Sequence, residues 1–306
     1  MPKIQANGIE IEYDCFGNTD AQAVLLISGL GTQMIRWSDT FCQILAEQGY
    51  RVIRFDNRDA GLSTHFDSAS TPDLAALADA VSGGETPDVP YTLFDMVNDA
   101  VGLLDALKIT RAHVVGRSMG GMIAQLLASE HPERVLSLVS IMSSTGNRDL
   151  PQASPAVMAA MTSPVPHPLN DEQGYLTHCV AFSQVIAGRG YPFDESAQRD
   201  QALAEVKRAY NPSGFWRHIA AIAATGDLRS RLANITAPTL VLHGSDDPLV
   251  PPEAGKDTAA NIKGAKLLIV EGMGHDLPPS LFGFVAGVIA DNARSVFNPV
   301  NRSGCD

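Results

Sequence analysis

Short apolar runs alternate with helically spaced apolar residues along this 306-residue chain. The opening KIQANGIEIEY reads as two strands around Asn7-Gly8, a dipeptide that favours the turn of a tight hairpin. AVLLISG, from Ala23 to Gly29, is continuously apolar, as in a parallel strand buried on both faces. Residues 36–48 have helical spacing, and YRVIRFD, Tyr50 to Asp56, is a further strand. Leu93, Met96, Val97, Ala100, Val101 and Leu104 share one helical face, and Thr92 with Asp95 resembles a capping box at its start. Strands follow at 112–116, 135–142, 238–244 and 265–272, with helices from 119, near 252–262 and from about 279. This alternation predicts an α/β fold, a mainly parallel eight-stranded sheet with helices on both faces.

Two regions break the rhythm. Residues 57–90 form a loop-rich connection with one short helix near 73–82. Residues 146–230 hold no convincing strand, and Pro151, Pro155, Pro164, Pro166, Pro168 and Pro192 separate their helical patches. We read 146–230 as a helical cap, or lid, inserted into a core made of residues 1–145 and 231–306.

Composition narrows the function classes. With 45 % hydrophobic and 18 % charged residues, the chain is an ordinary globular protein able to bury a sizeable core. A net charge of −12 without a Lys/Arg cluster argues against a nucleic-acid partner and against anionic membranes. The first residues lack the basic and apolar stretches of a secretory signal, and no run of about 18 apolar residues is present to span a bilayer. Cys15, Cys42, Cys179 and Cys305 are scattered without metal or redox spacing, so reduced thiols and a cytoplasmic location are expected. Whether the chain forms a homodimer is left open.

The chemistry centres on AHVVGRSMGGMIAQLLA, Ala112 to Ala128. An apolar strand stops at Gly116, and Met119, Met122, Ile123, Leu126 and Leu127 lie on one face of the helix that follows. Ser118 therefore sits on a strand-to-helix turn. Side chains two residues before and after it would collide there, which explains Gly116 and Gly120. The turn exposes the hydroxyl at the carboxyl end of the sheet, against a helix N-terminus that favours developing negative charge. A serine needs a base, and the base needs an orienting acid. Among eight histidines, His275 follows the last strand on a Gly-rich loop, where open α/β sheets build their sites. His113 lies within a strand and reads as core, and His131 closes a helix. His243 ends a strand and is a candidate support residue, whereas His65, His167, His178 and His218 at most line a pocket. Asp246 and Asp247, just past a strand end, both suit the acid role. Pro248 biases Asp247 towards an extended conformation, but composition does not choose between them.

Five motifs together resemble the α/β-hydrolase superfamily over nearly the whole chain: ISGLG, DNRDAGLS, GRSMGG, HGSDDPLVP and GMGH. FDNRDAGLST and GMGHDLPPSL look closest to its aclacinomycin methylesterase-like, carboxylesterase branch. The resemblance implies a Ser118–Asp247–His275 triad, since Gly244, Asp247 and Pro251 match the family's spacing around the acid. It implies an oxyanion hole from the backbone N–H groups of Leu30 and Met119, with Gly29 as a motif glycine. Two departures stand out. Ser28-Gly29 replaces the usual His-Gly, which puts the support of that loop in question, and Asp59 stands where the family often has glycine. The implied chemistry is acyl transfer through an acyl-serine, with no metal or organic cofactor.

Substrate signals are thinner. Met158, Met161, Phe182, Phe215 and Trp216 in the insertion are candidates for an apolar acyl pocket as well as for packing the insertion on itself. A small to medium, uncharged and moderately hydrophobic carboxylic ester suits such a pocket. Arg58 and Arg117 are candidates for binding a carboxylate, or for structural ion pairs, Arg58 with Asp56 or Asp59. A C–C bond hydrolase, a lactonase, an acyltransferase and a ligand receptor with little turnover are the alternative readings of the same residues.

Overall fold

The computed structural model describes residues 1–296, so Cys305 lies outside the described residues. Eight strands form one sheet: β1 (Lys3–Ala6), β2 (Ile9–Phe16), β3 (Ala23–Ile27), β4 (Arg51–Phe55), β5 (Ala112–Arg117), β6 (Val135–Ile141), β7 (Thr239–Gly244) and β8 (Lys266–Val270). Their spatial order is β1-β2-β4-β3-β5-β6-β7-β8. The first hairpin and the β2–β4 pair are antiparallel, and every other pair is parallel. The hairpin turns at Asn7 and Gly8, with φ of 49° and 76°, as an Asn-Gly turn demands.

Alternation along the strands sorts the core into two layers. Leu25, Ile27, Ile53 and Val114 face α3 (Leu93–Ala106) and α4 (Met119–Glu130). Val24, Leu26, Val52, Val115 and Val139 face α1 (Asp39–Ala46) and α11 (Phe282–Arg294). The stretch expected to be helical over 36–48 divides in two. A 3₁₀ turn spans Met34–Arg36, and α1 starts afresh because the Ser38 hydroxyl accepts the Phe41 N–H at 3.2 Å. The connection after β4 holds α2 (Leu74–Ser82). The reciprocal cap at α3 is present, with the Thr92 N–H donating to the Asp95 carboxylate at 2.7 Å.

Between β6 and β7 lie α5 (Pro155–Thr162), α6 (Glu172–Ile186), α7 (Glu195–Arg208), α8 (Pro212–Thr225) and α9 (Arg229–Leu232). Ser154, Asp171, Asp194 and Asn211 cap the first four, each accepting a first-turn N–H. Pro155 and Pro212 occupy the first helical position, where a missing N–H costs nothing. Beyond β7, α10 (Pro252–Asn261) leads to β8. No helix among the described residues is long and apolar enough to cross a membrane.

Candidate active site

The carboxyl ends of β5, β7 and β8 converge on three side chains. Ser118 lies at the β5–α4 turn with φ 53° and ψ −126°, a left-handed backbone that a side chain tolerates only at a cost. The turn is held by its surroundings. The Ser118 N–H donates to Ile141 C=O at 2.9 Å, and the Ser143 hydroxyl donates to Ser118 C=O at 2.7 Å. Its glycines are steric necessities. A Cβ on Gly116 would lie 2.0 Å from Gly120 C=O, and one on Gly120 would lie 2.3 Å from Ile27 C=O. Gly29 passes so close that a Cβ there would meet the Ser118 Cβ at 3.2 Å.

Ser118 Oγ lies 3.0 Å from His275 Nε2, and His275 Nδ1 lies 2.8 Å from Asp247 Oδ2. Asp246 takes no part in this chain of contacts; its carboxylate accepts the Ser245 hydroxyl at 3.1 Å. Asp247 is 4 % exposed. Burial pushes its carboxyl up, but His275, His243 and the Val250 N–H outweigh this and hold it at about 2. Its second oxygen accepts the N–H groups of Leu249 and Val250 at 3.0 and 2.8 Å. Acceptor-only geometry on Asp247 places the proton on His275 Nδ1, leaving Nε2 to receive the Ser118 proton. His243 stands behind: its Nε2–H reaches Val250 C=O at 2.8 Å and lies 3.4 Å from Asp247 Oδ2.

The loop after β3 turns beside Ser118. Among the described residues, no protein acceptor receives the N–H of Leu30 or of Met119. The fold therefore leaves two backbone donors unspent next to the serine. This loop lacks the histidine of the resemblance, and the support comes from elsewhere. His218 of α8 is fully buried, accepts the Gly31 N–H on Nδ1 at 3.1 Å and donates from Nε2 to Arg58 C=O at 2.7 Å. Burial lowers its pKa, keeping the ring neutral and this tautomer fixed. The sequence gives His218 no distinguishing pattern, because its partners are backbone groups 187 and 160 residues away.

Asp59 explains why α8 sits there. Its backbone has φ 62°, yet Asp59 is not a misplaced glycine. Its carboxylate takes two 2.7 Å bonds from Arg217, one of 2.6 Å from the Tyr91 hydroxyl and one of 2.8 Å from the Phe66 N–H. Burial raises its pKa, but Arg217 and Tyr91 prevail and hold it at about 2. The expected partners of Arg58 are corrected: it bonds Asp99 at 2.6 and 2.7 Å, and not Asp56 or Asp59. Asp56 instead pairs with Arg208 at 2.7 Å. Arg117 has neither a carboxylate partner nor a side-chain hydrogen bond among the described residues, and its guanidinium stacks 5.0 Å above the Trp37 ring.

The apolar candidates divide. Phe215 presses on the loop after β3 so closely that a Cβ on Gly31 would meet its ring at 2.7 Å, and Trp216 meets Phe215 edge-on at 5.0 Å. Met161 and Phe182 are partly buried. Met158, on α5 packed along α6, is 41 % exposed. The insertion also touches the His275 loop directly. The His275 N–H donates to Ile186 C=O at 2.8 Å, and the Gly190 N–H to Gly272 C=O at 2.9 Å.

Comparison with known proteins places this geometry. Rhodomycin D methylesterase DauP of Streptomyces sp. (strain C5) is 30 % identical over 288 residues, covering 89 % of this chain and 91 % of that one. A poly(3-hydroxyalkanoate) depolymerase of Ectopseudomonas oleovorans is 30 % identical over 249 residues, covering 78 % of this chain and 83 % of that one. Among solved structures, a meta-cleavage product hydrolase from Pseudomonas fluorescens shares the fold with a TM-score of 0.72 at 21 % identity, covering 98 % of both chains. A family model, serine aminopeptidase, S33, matches residues 18–278. The chain belongs to this S33 family within the α/β-hydrolase superfamily, and is a hydrolase with esterase-like relatives.

Proposed function

We propose that the protein is a serine carboxylic ester hydrolase working through an acyl-enzyme on Ser118, His275 and Asp247. The observation that carries this reading is the contact chain of 3.0 and 2.8 Å from serine through imidazole to a buried carboxylate held at about 2. The Ser118 hydroxyl attacks the ester carbonyl as its proton passes to His275 Nε2. The carbonyl oxygen becomes an oxyanion beside the unspent N–H groups of Leu30 and Met119. The imidazolium, stabilised by Asp247, protonates the departing alkoxide as the C–O bond breaks. Water then enters, gives its proton to His275 and releases the acid. The kinship with a methylesterase favours a small alcohol as leaving group, and Phe215 beside the 28–31 loop supplies an apolar wall for the acyl part. In this reading residues 146–230 serve as the cap over the site.

Stopped-flow hydrolysis of 4-nitrophenyl esters of increasing acyl length tests it. A burst followed by steady turnover, reduced at least about a thousandfold in Ser118→Ala, is the expected result. Equal turnover in wild type and Ser118→Ala rules out the mechanism.

A further inference from the structure

Arg117 stands immediately before the candidate nucleophile, at the carboxyl end of β5, and the mechanism above does not use it. Its neighbours explain how a cation is tolerated there without a counter-ion. The guanidinium lies 5.0 Å from the centroid of the Trp37 ring, which is itself fully buried, so its flat face is covered by an electron-rich surface. The nearby carboxylate is that of Glu205 on α7, but both of its oxygens are committed. One accepts Arg36 Nη2 at 2.8 Å, and the other accepts Arg36 Nε and, at 3.1 Å, the Gln201 amide. Arg36 and Glu205 cancel, which leaves one net positive charge. Burial, then the charge of Arg36, lower the Arg117 pKa to about 10, so the group stays cationic at neutral pH.

Two further facts separate the half-buried Arg117 from the buried arginines. Arg54, Arg58 and Arg217 each meet a carboxylate within 2.9 Å, whereas Arg117 meets none within 4.0 Å among the described residues. None of its nitrogens is sealed from solvent, although Arg51 and Arg54 each hide an unpaired Nε. A planar fork of donors, unpaired and not sealed from solvent, therefore stands on the residue that precedes Ser118, its flat face held against Trp37.

We propose that Arg117 is an anion subsite of the active site, and that the ester cleaved carries a free carboxylate held by this guanidinium. The inference deepens the esterase reading and rests on it for the position of the scissile bond. It replaces the expectation of an uncharged ester: on a protein of net charge −12, an unpaired, half-buried cation next to the nucleophile selects for one negative group that the rest of the surface repels. A carboxylate suits the fork because two parallel N–H···O bonds satisfy both of its oxygens.

The test compares two ligands that differ only in that charge, monomethyl glutarate and dimethyl glutarate. Calorimetric titration of the Ser118→Ala protein measures their binding without turnover. A charge-assisted pair of this kind is worth about tenfold to a hundredfold in affinity. The monoanion is expected to bind at least tenfold more tightly than the diester. That preference should vanish in Ser118→Ala/Arg117→Gln and return in part in Ser118→Ala/Arg117→Lys. Equal binding of the two ligands, or a preference that survives Arg117→Gln, overturns the proposal. Hydrolysis of the same pair by the wild type separates it from the parent reading. Ser118-dependent cleavage with no preference for the monoanion refutes the subsite and keeps the esterase. Arg117-dependent binding with no Ser118-dependent cleavage keeps the subsite and refutes the esterase.

Discussion

His218 offers the sharpest test of how the insertion governs the chemistry of the sheet. The ring joins two backbone groups, accepting from Gly31 N–H on Nδ1 and donating from Nε2 to Arg58 C=O. His218 is fully buried and Arg58 is 5 % exposed, so the Arg58 C=O has no water as an alternative, whereas Gly31 is itself exposed. Removing the ring by His218→Ala leaves one donor and one acceptor unpaired. The buried Arg58 acceptor costs about 1–3 kcal/mol of stability, and the exposed Gly31 donor adds little because water reaches it. The catalytic loss follows from Gly31 alone, because it adjoins Leu30, whose N–H faces the forming oxyanion in the proposed mechanism. Loss of such a donor outright costs about 3–4 kcal/mol of transition-state stabilisation. A loop that is loosened rather than lost forfeits part of that, about tenfold to a hundredfold in kcat. Two near-isosteric variants divide the effects. The Asn oxygen falls close to Nδ1 and still accepts from Gly31, whereas the Gln amide nitrogen falls close to Nε2 and still donates to Arg58. His218→Asn, which strands the buried Arg58 C=O, should lose more stability in urea unfolding than His218→Gln, which frees only the exposed Gly31 N–H. Only His218→Gln should lose kcat on a 4-nitrophenyl ester by the full tenfold or more, with KM little changed. Equal kcat in the Asn and Gln variants, or an Ala variant that turns over like the wild type, refutes the claim that His218 positions the loop.

Asp59→Gly restores the residue that the family resemblance leads one to expect, and should still destabilise the protein. Relief of the left-handed backbone returns about 1–2 kcal/mol, but Arg217 is left buried and unpaired, at a cost of about 3–5 kcal/mol. A net loss of about 1–4 kcal/mol in urea unfolding, largely recovered by Arg217→Met in the same chain, is expected; a stabilised Asp59→Gly protein contradicts it. His113 carries the pH prediction. Buried on β5, it has a pKa lowered by burial, then by Arg111, to about 4, against 6.5 when unprotected. Because its folded pKa is depressed, the unfolded chain takes up its proton first, and stability falls as pH drops from 6.5 towards 4. That drop is worth about 3 kcal/mol. The stability of His113→Asn relative to wild type should therefore rise by about this amount between pH 7.5 and pH 4, and a pH-independent difference is the contrary result.

The sheet, its strands and the turn at Ser118 are legible in the sequence because each rests on local patterning. Two-residue alternation, helical spacing and a glycine pair around a strained corner are all set within a dozen neighbouring positions. The acid was undecided between Asp246 and Asp247 on residue chemistry alone, since both sit past the same strand; only the turn that gives one of them the N–H groups of Leu249 and Val250 sends Asp247 to His275. The tie of Arg58 to Asp99 was hidden for a different reason. Asp99 lies within α3, 41 residues on, and no short-range pattern pairs it with Arg58. His218 and Arg217 were illegible by the same logic, because their partners belong to loops after β3 and β4. Proline misled in one respect. Pro155 suggests an interruption in the sequence, yet marks the first turn of a helix.

The contact between the insertion and the His275 loop bears on how such proteins diverge. Gly188 and Gly190 lie backbone to backbone against Gly272 and Gly274, and a methyl group on Gly188 would sit 2.1 Å from Gly272 C=O. Ile186 C=O receives the very N–H of His275. A chimaera that exchanged the segment between β6 and β7 for that of a relative would therefore import part of the scaffold that holds His275, the general base of the proposed mechanism. New substrate preferences grafted this way would arrive with an altered histidine pose unless the stretch around 186–190 were left behind. The freely exchangeable part is the α5 end, where Met158, Val165 and Leu169 stand exposed. The insertion is thus divided: one end is free to vary, while the other is tied to the strand-end loop that it touches.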